Sequence, residues 1–386
     1  MTSTSSALMS MLTSQLGEPD EASNTVPYWL PTSLPNVNLI VSDKMDLGFP
    51  GGRQIGISGP SSCGKTALST ELMIQAQRKG GLPHFNDHEH SWLQAHAISQ
   101  GLDVDNFYYR QPLSAEDGFQ ILYDVQQLVR CQQIGLDVAK LGSPKDPGRS
   151  VRLIKAVQKS GKFATLPPLV QVIDSVASLI PEEQDIAYGA QNMKTKNMAV
   201  GAFLSVELKR MARDCAHLAS TLILLNQLRK NPAIMFGDNN SETGGEALTY
   251  YASTRIRLRR IGHIYADWSE KSSEVIGDIV EMHVLKNKVA RPLRRTKYVF
   301  NNRGPVGLDC AATMIVLGKE AGVLGPKEGK TVDFGGRSKW SINDLLAQCR
   351  IEPKLVAALI ATVMPAVAPG LLREDAPPAI PDPEAT

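Results

Sequence analysis

The chain has 386 residues, 42% apolar and 21% charged, with 41 Lys and Arg against 39 Asp and Glu for a formal net charge of +2. That length buries a sizeable core and predicts one large domain with one or two small ones, and so small a charge excludes nucleic-acid recognition by bulk charge, leaving only a local basic surface. Cys63, Cys131, Cys215, Cys310 and Cys349 form no CxxC or Cys/His cluster, which argues against structural zinc and a disulfide framework and fits a reducing cytoplasm, that of a bacterium or of a phage-infected host.

The first 37 residues read as an N-terminal segment. Ser6–Leu16 has helical apolar spacing stopped by Gly17, and is either an oligomerisation helix that docks elsewhere or a frayed end; Pro27, Pro31 and Pro35 mark an extended connector. The first residues lack a basic stretch followed by a long apolar run, so no signal peptide is expected. No stretch reaches the roughly 18 apolar residues that span a bilayer, so no membrane partner is expected either.

Residues 38–304 alternate strand-like and helix-like runs. Strands are predicted at Gln54–Ser58, Leu169–Ile173, Ser220–Leu225, Thr254–Arg259 and Asp278–Leu285, with helices at Thr66–Arg78, Ala115–Gln132 and Met198–Ala219 between the first three. This alternation predicts an α/β fold, a mostly parallel twisted sheet flanked by helices, and the two late strands predict an antiparallel addition to one edge. Residues 134–168, rich in Gly, Pro and Lys, look inserted, and 229–247 read as a second long loop. Residues 305–370 read as a small α-rich C-terminal domain and 371–386, Pro-rich and mildly acidic, as a disordered tail.

The strongest local signal is the run Gly59, Pro60, Ser61, Ser62, Cys63, Gly64, Lys65 and Thr66, the G-x-x-x-x-G-K-[ST] phosphate loop between a strand and a helix. Its glycines let backbone N–H groups wrap a phosphate at the positive end of the next helix, Lys65 reaches the β- and γ-phosphates, and the Thr66 hydroxyl suits Mg²⁺. Such a site needs an acidic residue at the end of a neighbouring strand. Asp174 ends Leu169–Ile173 and either holds the metal or caps the next helix. His84–His90 carries two carboxylates and three histidines. Glu89 is the better candidate for the base that orients water, Asp87 the next, and the segment shows no helical H-x-x-x-H pair with a third ligand for a metal.

Several segments, in order over roughly residues 40–310, resemble the RecA recombinases. Phe85–His90 resembles the segment with their catalytic glutamate, and Val172–Leu179 their Mg²⁺-side strand. Leu224–Arg229 resembles the strand ending in their ATP-sensing glutamine. Met235-Phe236-Gly237 with Thr243–Ser253, including Gly244 and Gly245, resembles the second DNA loop; Arg259–Gly262 and Lys286-Asn287-Lys288 complete the series. The resemblance implies a RecA-like P-loop ATPase core and an ATP-dependent recombinase that forms helical homo-oligomeric filaments on single-stranded DNA and pairs it with double-stranded DNA. ATP and Mg²⁺ would be its cofactors, with loader or mediator and single-strand-binding proteins as partners. It implies that Glu89 activates water, Asp174 supports Mg²⁺, and Gln227 senses the γ-phosphate. It further implies that Lys286 and Lys288 reach into the neighbouring subunit's site. The resemblance also implies a first DNA loop at about Pro181–Lys196 with Met193 as its candidate wedge.

The chain departs from that pattern where His96 stands for the family's adenine-stacking tyrosine, Thr249-Tyr250 for a Lys-Phe pair, and Val200–Ala202 for an arginine of the first loop, where Lys194 and Lys196 compensate. Low overall similarity and the insertion at 134–168 give it the look of a divergent member, similar to the phage UvsX branch. For DNA, Arg229 and Lys230 supply charge, and Met235 and Phe236 are either apolar wedges between bases or pack back on the core. Arg255, Arg257 and Arg259 share a strand face that serves DNA or a solvated salt-bridge array. A hexameric helicase, a regulatory ATPase or a non-catalytic paralogue of the same fold are the competing readings. Ring helicases lack the Met-Phe-Gly loop followed by Lys-Asn-Lys, and intact Lys65, Thr66, Glu89 and Asp174 argue against the paralogue.

Overall fold

A computed structural model describes residues 4–16, 25–144, 146–182, 193–230, 240–242, 247–268, 274–304 and 306–372. Trp29–Leu30 (β1) and Phe49–Pro50 (β2) pair antiparallel ahead of a ten-stranded sheet. Its strands are β3 (Gln54–Gly59), β4 (Leu82–Asp87), β5 (Tyr108–Arg110), β6 (Leu169–Asp174), β7 (Ser220–Lys230), β8 (Asn240–Glu242), β9 (Thr254–Tyr265), β10 (Val275–Asn287), β11 (Arg295–Asn301) and β12 (Gly307–Asp309). The order is β12-β11-β10-β9-β3-β7-β6-β4-β5, with β8 on β7. From β9 to β5 neighbours run parallel, and from β9 to β12 antiparallel, as the two late strand runs predict.

The parallel strands are buried on both faces because helices cover both. In β6 and β7 the side chains divide by the two-residue period of a strand. Val170, Val172, Ile223 and Leu225 join Leu68 and Leu72 of helix Lys65–Arg78 in one cluster. Ile173, Leu222 and Leu224 join Phe119 and Leu122 of helix Ala115–Ile134 and Leu204, Leu208 and Met211 of helix Met193–Leu218 in another. Each such Leu or Ile contributes about 1.5–3 kcal/mol over exposure.

Element boundaries shift in instructive ways. Ser220–Leu225 continues to Lys230 because β8 pairs with Leu228–Lys230, so Gln227 lies on a strand. Residues 134–168 are not an irregular loop. They carry helix Arg149–Ser160, whose Leu153, Ile154 and Val157 pack with Cys131, Leu141, Leu166, Leu218 and Ala219. Beyond β12 lie helices Cys310–Glu320, Ile342–Ile351 and Pro353–Leu371 and the hairpin of β13 (Thr331–Phe334) and β14 (Arg337–Ser341). The expectation that no run is long and apolar enough to span a bilayer fails for Pro353–Leu371, a 19-residue helix that passes that test. Its Leu359, Val363 and Met364 instead pack with Met314, Ile315 and Leu345. The N-terminal Thr4–Leu16 is helical, with Leu8, Met9, Met11 and Leu12 exposed.

Candidate active site

Strand register gathers the site. Gly59 stands beside Gln227, Ser58 beside Asn226, and Asp87 beside Asp174, so the carboxyl ends of β3, β7, β6 and β4 open on one edge of the sheet. The phosphate loop leaves β3 there. A side chain at Gly59 would put Cβ 2.5 Å from Cys63 Sγ and 2.6 Å from the Leu258 carbonyl oxygen, and Gly64 takes φ +87° to enter the helix. Pro60, Ser61 and Ser62 are exposed and Cys63 is buried beneath them. The Lys65 ammonium is buried and donates to the carbonyls of Gly59 at 3.1 Å and Pro60 at 2.8 Å.

Thr66 Oγ1 donates to Asp174 Oδ2 at 2.9 Å. Burial pushes the Asp174 carboxyl up to about 6, the Thr66 bond opposing the shift and the Glu89 and Asp87 charges adding to it. Two hard oxygens face each other there, one on a carboxylate short of a counter-charge, and such a donor pair fits Mg²⁺. Glu89 is held beside them, because its backbone N–H and that of His88 both bond the Asp174 carbonyl, at 3.1 and 2.7 Å. Its Oε1 accepts from Gln227 Nε2 at 2.7 Å and from Ser175 Oγ at 2.5 Å. The structure thus joins Thr66, Asp174, Glu89 and Gln227 in one array.

Asp87 is engaged elsewhere. Its oxygens accept from the backbone of Ser91 and Trp92 and from the Tyr109 hydroxyl at 2.9 Å, so it anchors the turn after β4. The three histidines part company. His84 is buried against Tyr108 and pushed down to about 3 by burial, His88 is buried and pushed to about 4, and His90 is exposed. A cleft of about 450 Å³ lies over the phosphate loop, with His96, Trp92 and Gln100 on one wall and Arg260, Asp278 and Phe300 among residues of the other. The resemblance to the family points to His96 and contains Arg260 without a role, and it misses Asp278 and Phe300, which β10 and β11 bring to the second wall through antiparallel pairing. Asp278 accepts from His263 and Asn302 at 2.8 and 2.9 Å.

Lys286 and Lys288 lie outside this cleft. Lys286 Nζ donates to the carbonyls of Thr249 and Tyr250, at 2.7 and 2.9 Å, and Lys288 N–H bonds Ser253, which is level with Gln54 at the start of β3. Arg259 pairs with Glu281 on β10 at 3.3 Å, and Arg255 and Arg257 also make contacts. Arg229 and Lys230 end β7, and Met193 begins its helix, but their side chains lie outside the described residues, as do Met235, Phe236, Gly244 and Gly245.

The RecA N-terminal domain family model matches residues 39–143 and 127–303. The chain is 30% identical to Protein RecA of Bacteroides thetaiotaomicron over 316 residues, 81% of this chain and 80% of that one. It is 30% identical to Protein RecA of Rubrobacter xylanophilus over 289 residues, 75% and 70% of the two chains. To Protein RecA of Gluconacetobacter polyoxogenes it is 33% identical over 278 residues, 72% and 66%. A parallel sheet ending in a phosphate loop, a carboxylate array beside it and matches of this extent agree: the chain belongs to the RecA family.

Proposed function

We propose that this protein is an ATP-dependent DNA recombinase that polymerises on single-stranded DNA, pairs it with duplex and exchanges strands. The observation that carries the reading is the array Thr66–Asp174–Glu89–Gln227, because it links a phosphate site to β7, the strand that ends in Arg229 and Lys230. Lys65 and the loop's N–H groups bind the phosphates of ATP, and Thr66 and Asp174 hold Mg²⁺, which neutralises phosphate charge when bound. Glu89 orients the attacking water and Gln227, now bonded to Glu89, exchanges that bond for the γ-phosphate. His96 stacks on the base. Arg229, Lys230, Met193, Met235, Phe236, Gly244 and Gly245 grip DNA, and Lys286 and Lys288 complete the neighbour's site. Loader or mediator and single-strand-binding proteins are proposed partners, and the five free cysteines suit a cytoplasmic setting.

The RecA proteins it matches support this reading over a ring helicase or a regulatory ATPase. Electron microscopy with single-stranded DNA and a slowly hydrolysed ATP analogue tests it. Helical filaments are expected, and closed rings or bare DNA would overturn it.

A further inference from the structure

Residues 134–168 hold seven Lys and Arg against two Asp, so the remainder of a chain of net charge +2 is net negative. The family match is split at this place. Helix Arg149–Ser160 contains no acidic residue. It has Arg149 and Arg152 in its first turns, where the helix dipole disfavours cations, and Lys155 and Lys159 four apart, where like charges repel. Helical geometry sets Arg152, Lys155 and Lys159 on one stripe about 10 Å long, all exposed, and Lys162 follows just past Gly161.

Neighbouring cations have local partners. Arg152 pairs with Asp146, Arg210 with Glu207 and Arg213 with Asp214. Among the described residues no carboxylate pairs with Lys155, Lys159 or Lys162. The opposite face of the helix is fixed. Leu153, Ile154 and Val157 are buried, and buried Arg130 ties the segment's end down through the carbonyls of Pro167, Leu218 and Ala219. The stripe is therefore a cationic surface on a packed support, in which Arg152 has Asp146 and Lys162 Nζ donates to the Gln133 carbonyl at 3.4 Å, while Lys155 and Lys159 repel each other and would be relieved by an external anion. It sits at the start of β6 and β7, whereas the active site and Lys230 lie toward their other ends.

We propose that this stripe is a second nucleic-acid contact, which binds the sugar–phosphate backbone of duplex independently of nucleotide and of the loop after Gln227. A duplex fits better than a single strand, because single-strand grooves offer aromatic faces for stacking. Here Phe163 packs inward with the cluster and the outward residues are Val151, Gln158 and the cations. A row of lysines one turn apart suits a dense, regular line of phosphates.

The test replaces Lys155, Lys159 and Lys162 together by Gln in the full chain; all three are exposed, so folding is not at stake. Binding of a labelled duplex of mixed sequence is followed by fluorescence anisotropy over a KCl series, with and without a slowly hydrolysed ATP analogue. Weaker duplex binding in both states is expected. The slope of log affinity against log salt should become shallower by roughly 2–3, about 0.9 for each phosphate that a lysine no longer neutralises. The triple Lys→Arg variant should keep the parental slope, and filament formation on single-stranded DNA should be unchanged. Unchanged duplex affinity and slope would overturn the proposal. So would equal loss of single-strand filaments, or an effect confined to binding of a poly-glutamate peptide, which would point to an acidic protein.

Discussion

At Asp174 fold stability and cation binding depend on pH with opposite sign. Burial raises its folded-state pKa from the ordinary 3.8 to about 6, so the native protein holds this proton more tightly than the unfolded chain. The stabilisation from this group is therefore fully present below 3.8 and is lost as pH rises through about 6. Cation binding runs the other way, since it needs the ionised carboxylate. The Mg²⁺ concentration required for nucleotide binding should rise as pH falls through about 6, and Asp174→Asn should weaken Mg²⁺-dependent binding and abolish that pH dependence; a flat Mg²⁺ requirement in the parent between pH 5 and 7, measured by titration calorimetry, would refute it. Beside it, Glu89→Gln should keep ATP and DNA binding and lose hydrolysis, whereas Lys65→Ala should lose ATP binding because the phosphate charge loses its main counter-charge. Asp87→Asn makes a sharper control than the sequence allows one to see. Its oxygens hold the turn after β4, so it should act on stability more than on the chemical step.

Elements transmit these effects, and helix Ala115–Ile134 shows how. A Cβ at Gly118 would lie 2.5 Å from His88 Nε2 and 2.7 Å from its Cε1. Alanine in a helix gains about 1 kcal/mol over glycine, and overpacking a buried site costs about 1–3 kcal/mol, so the clash wins. The His88 backbone is tied to Asp174, so displacement also disturbs Glu89. Gly118→Ala should lower the urea midpoint and kcat together, and the double variant with His88→Ala should recover much of both; additive losses would show that the two positions are not coupled. On β7, Gln227→Ala should bind ATP yet lose the nucleotide dependence of DNA affinity, and Phe236→Ala should weaken single-strand binding by about 1–3 kcal/mol at fixed salt with basal ATPase intact. How much of this was legible depends on whether contacts follow spacing or register. The phosphate loop, Glu89 and Asp174 are read from local strings beside apolar runs, whereas Gln227, inside β7, is read only from the resemblance to the family. Helix Arg149–Ser160 was hidden by the Gly, Pro and Lys around it, although Leu153, Ile154 and Val157 carry its periodicity. Asp278, Phe300 and Arg260 enter the cleft only through pairing of β9, β10 and β11, which no single segment encodes.

Across the whole molecule the proposed lysine pair and the phosphate loop lie at opposite ends of β3. Lys288 is level with Gln54, five residues before the phosphate loop begins at Gly59, which is about 16 Å along a strand. Lys286 turns toward the end of helix Ala247–Tyr251, and burial with the charges of Lys288 and Arg255 lowers its pKa. Neither ammonium reaches its own Lys65, so if these lysines stabilise phosphate charge they do so in another copy, through a head-to-tail contact that propagates as a helix. Lys286→Ala and Lys288→Ala should then leave the monomer folded and ATP weakly bound, while DNA-stimulated hydrolysis is lost. Glu89→Gln should lose hydrolysis from the other side of the contact. When a lysine variant and Glu89→Gln are mixed in equal amounts, about a quarter of head-to-tail contacts combine an intact Glu89 with intact lysines. Hydrolysis on single-stranded DNA should accordingly rise from the background of either variant alone to about a quarter of the parent, with a maximum near equal proportions. Recovery that fails at every ratio, in filaments shown by microscopy to contain both variants, would mean that each site is complete within one chain and that the lysine pair serves DNA or the fold.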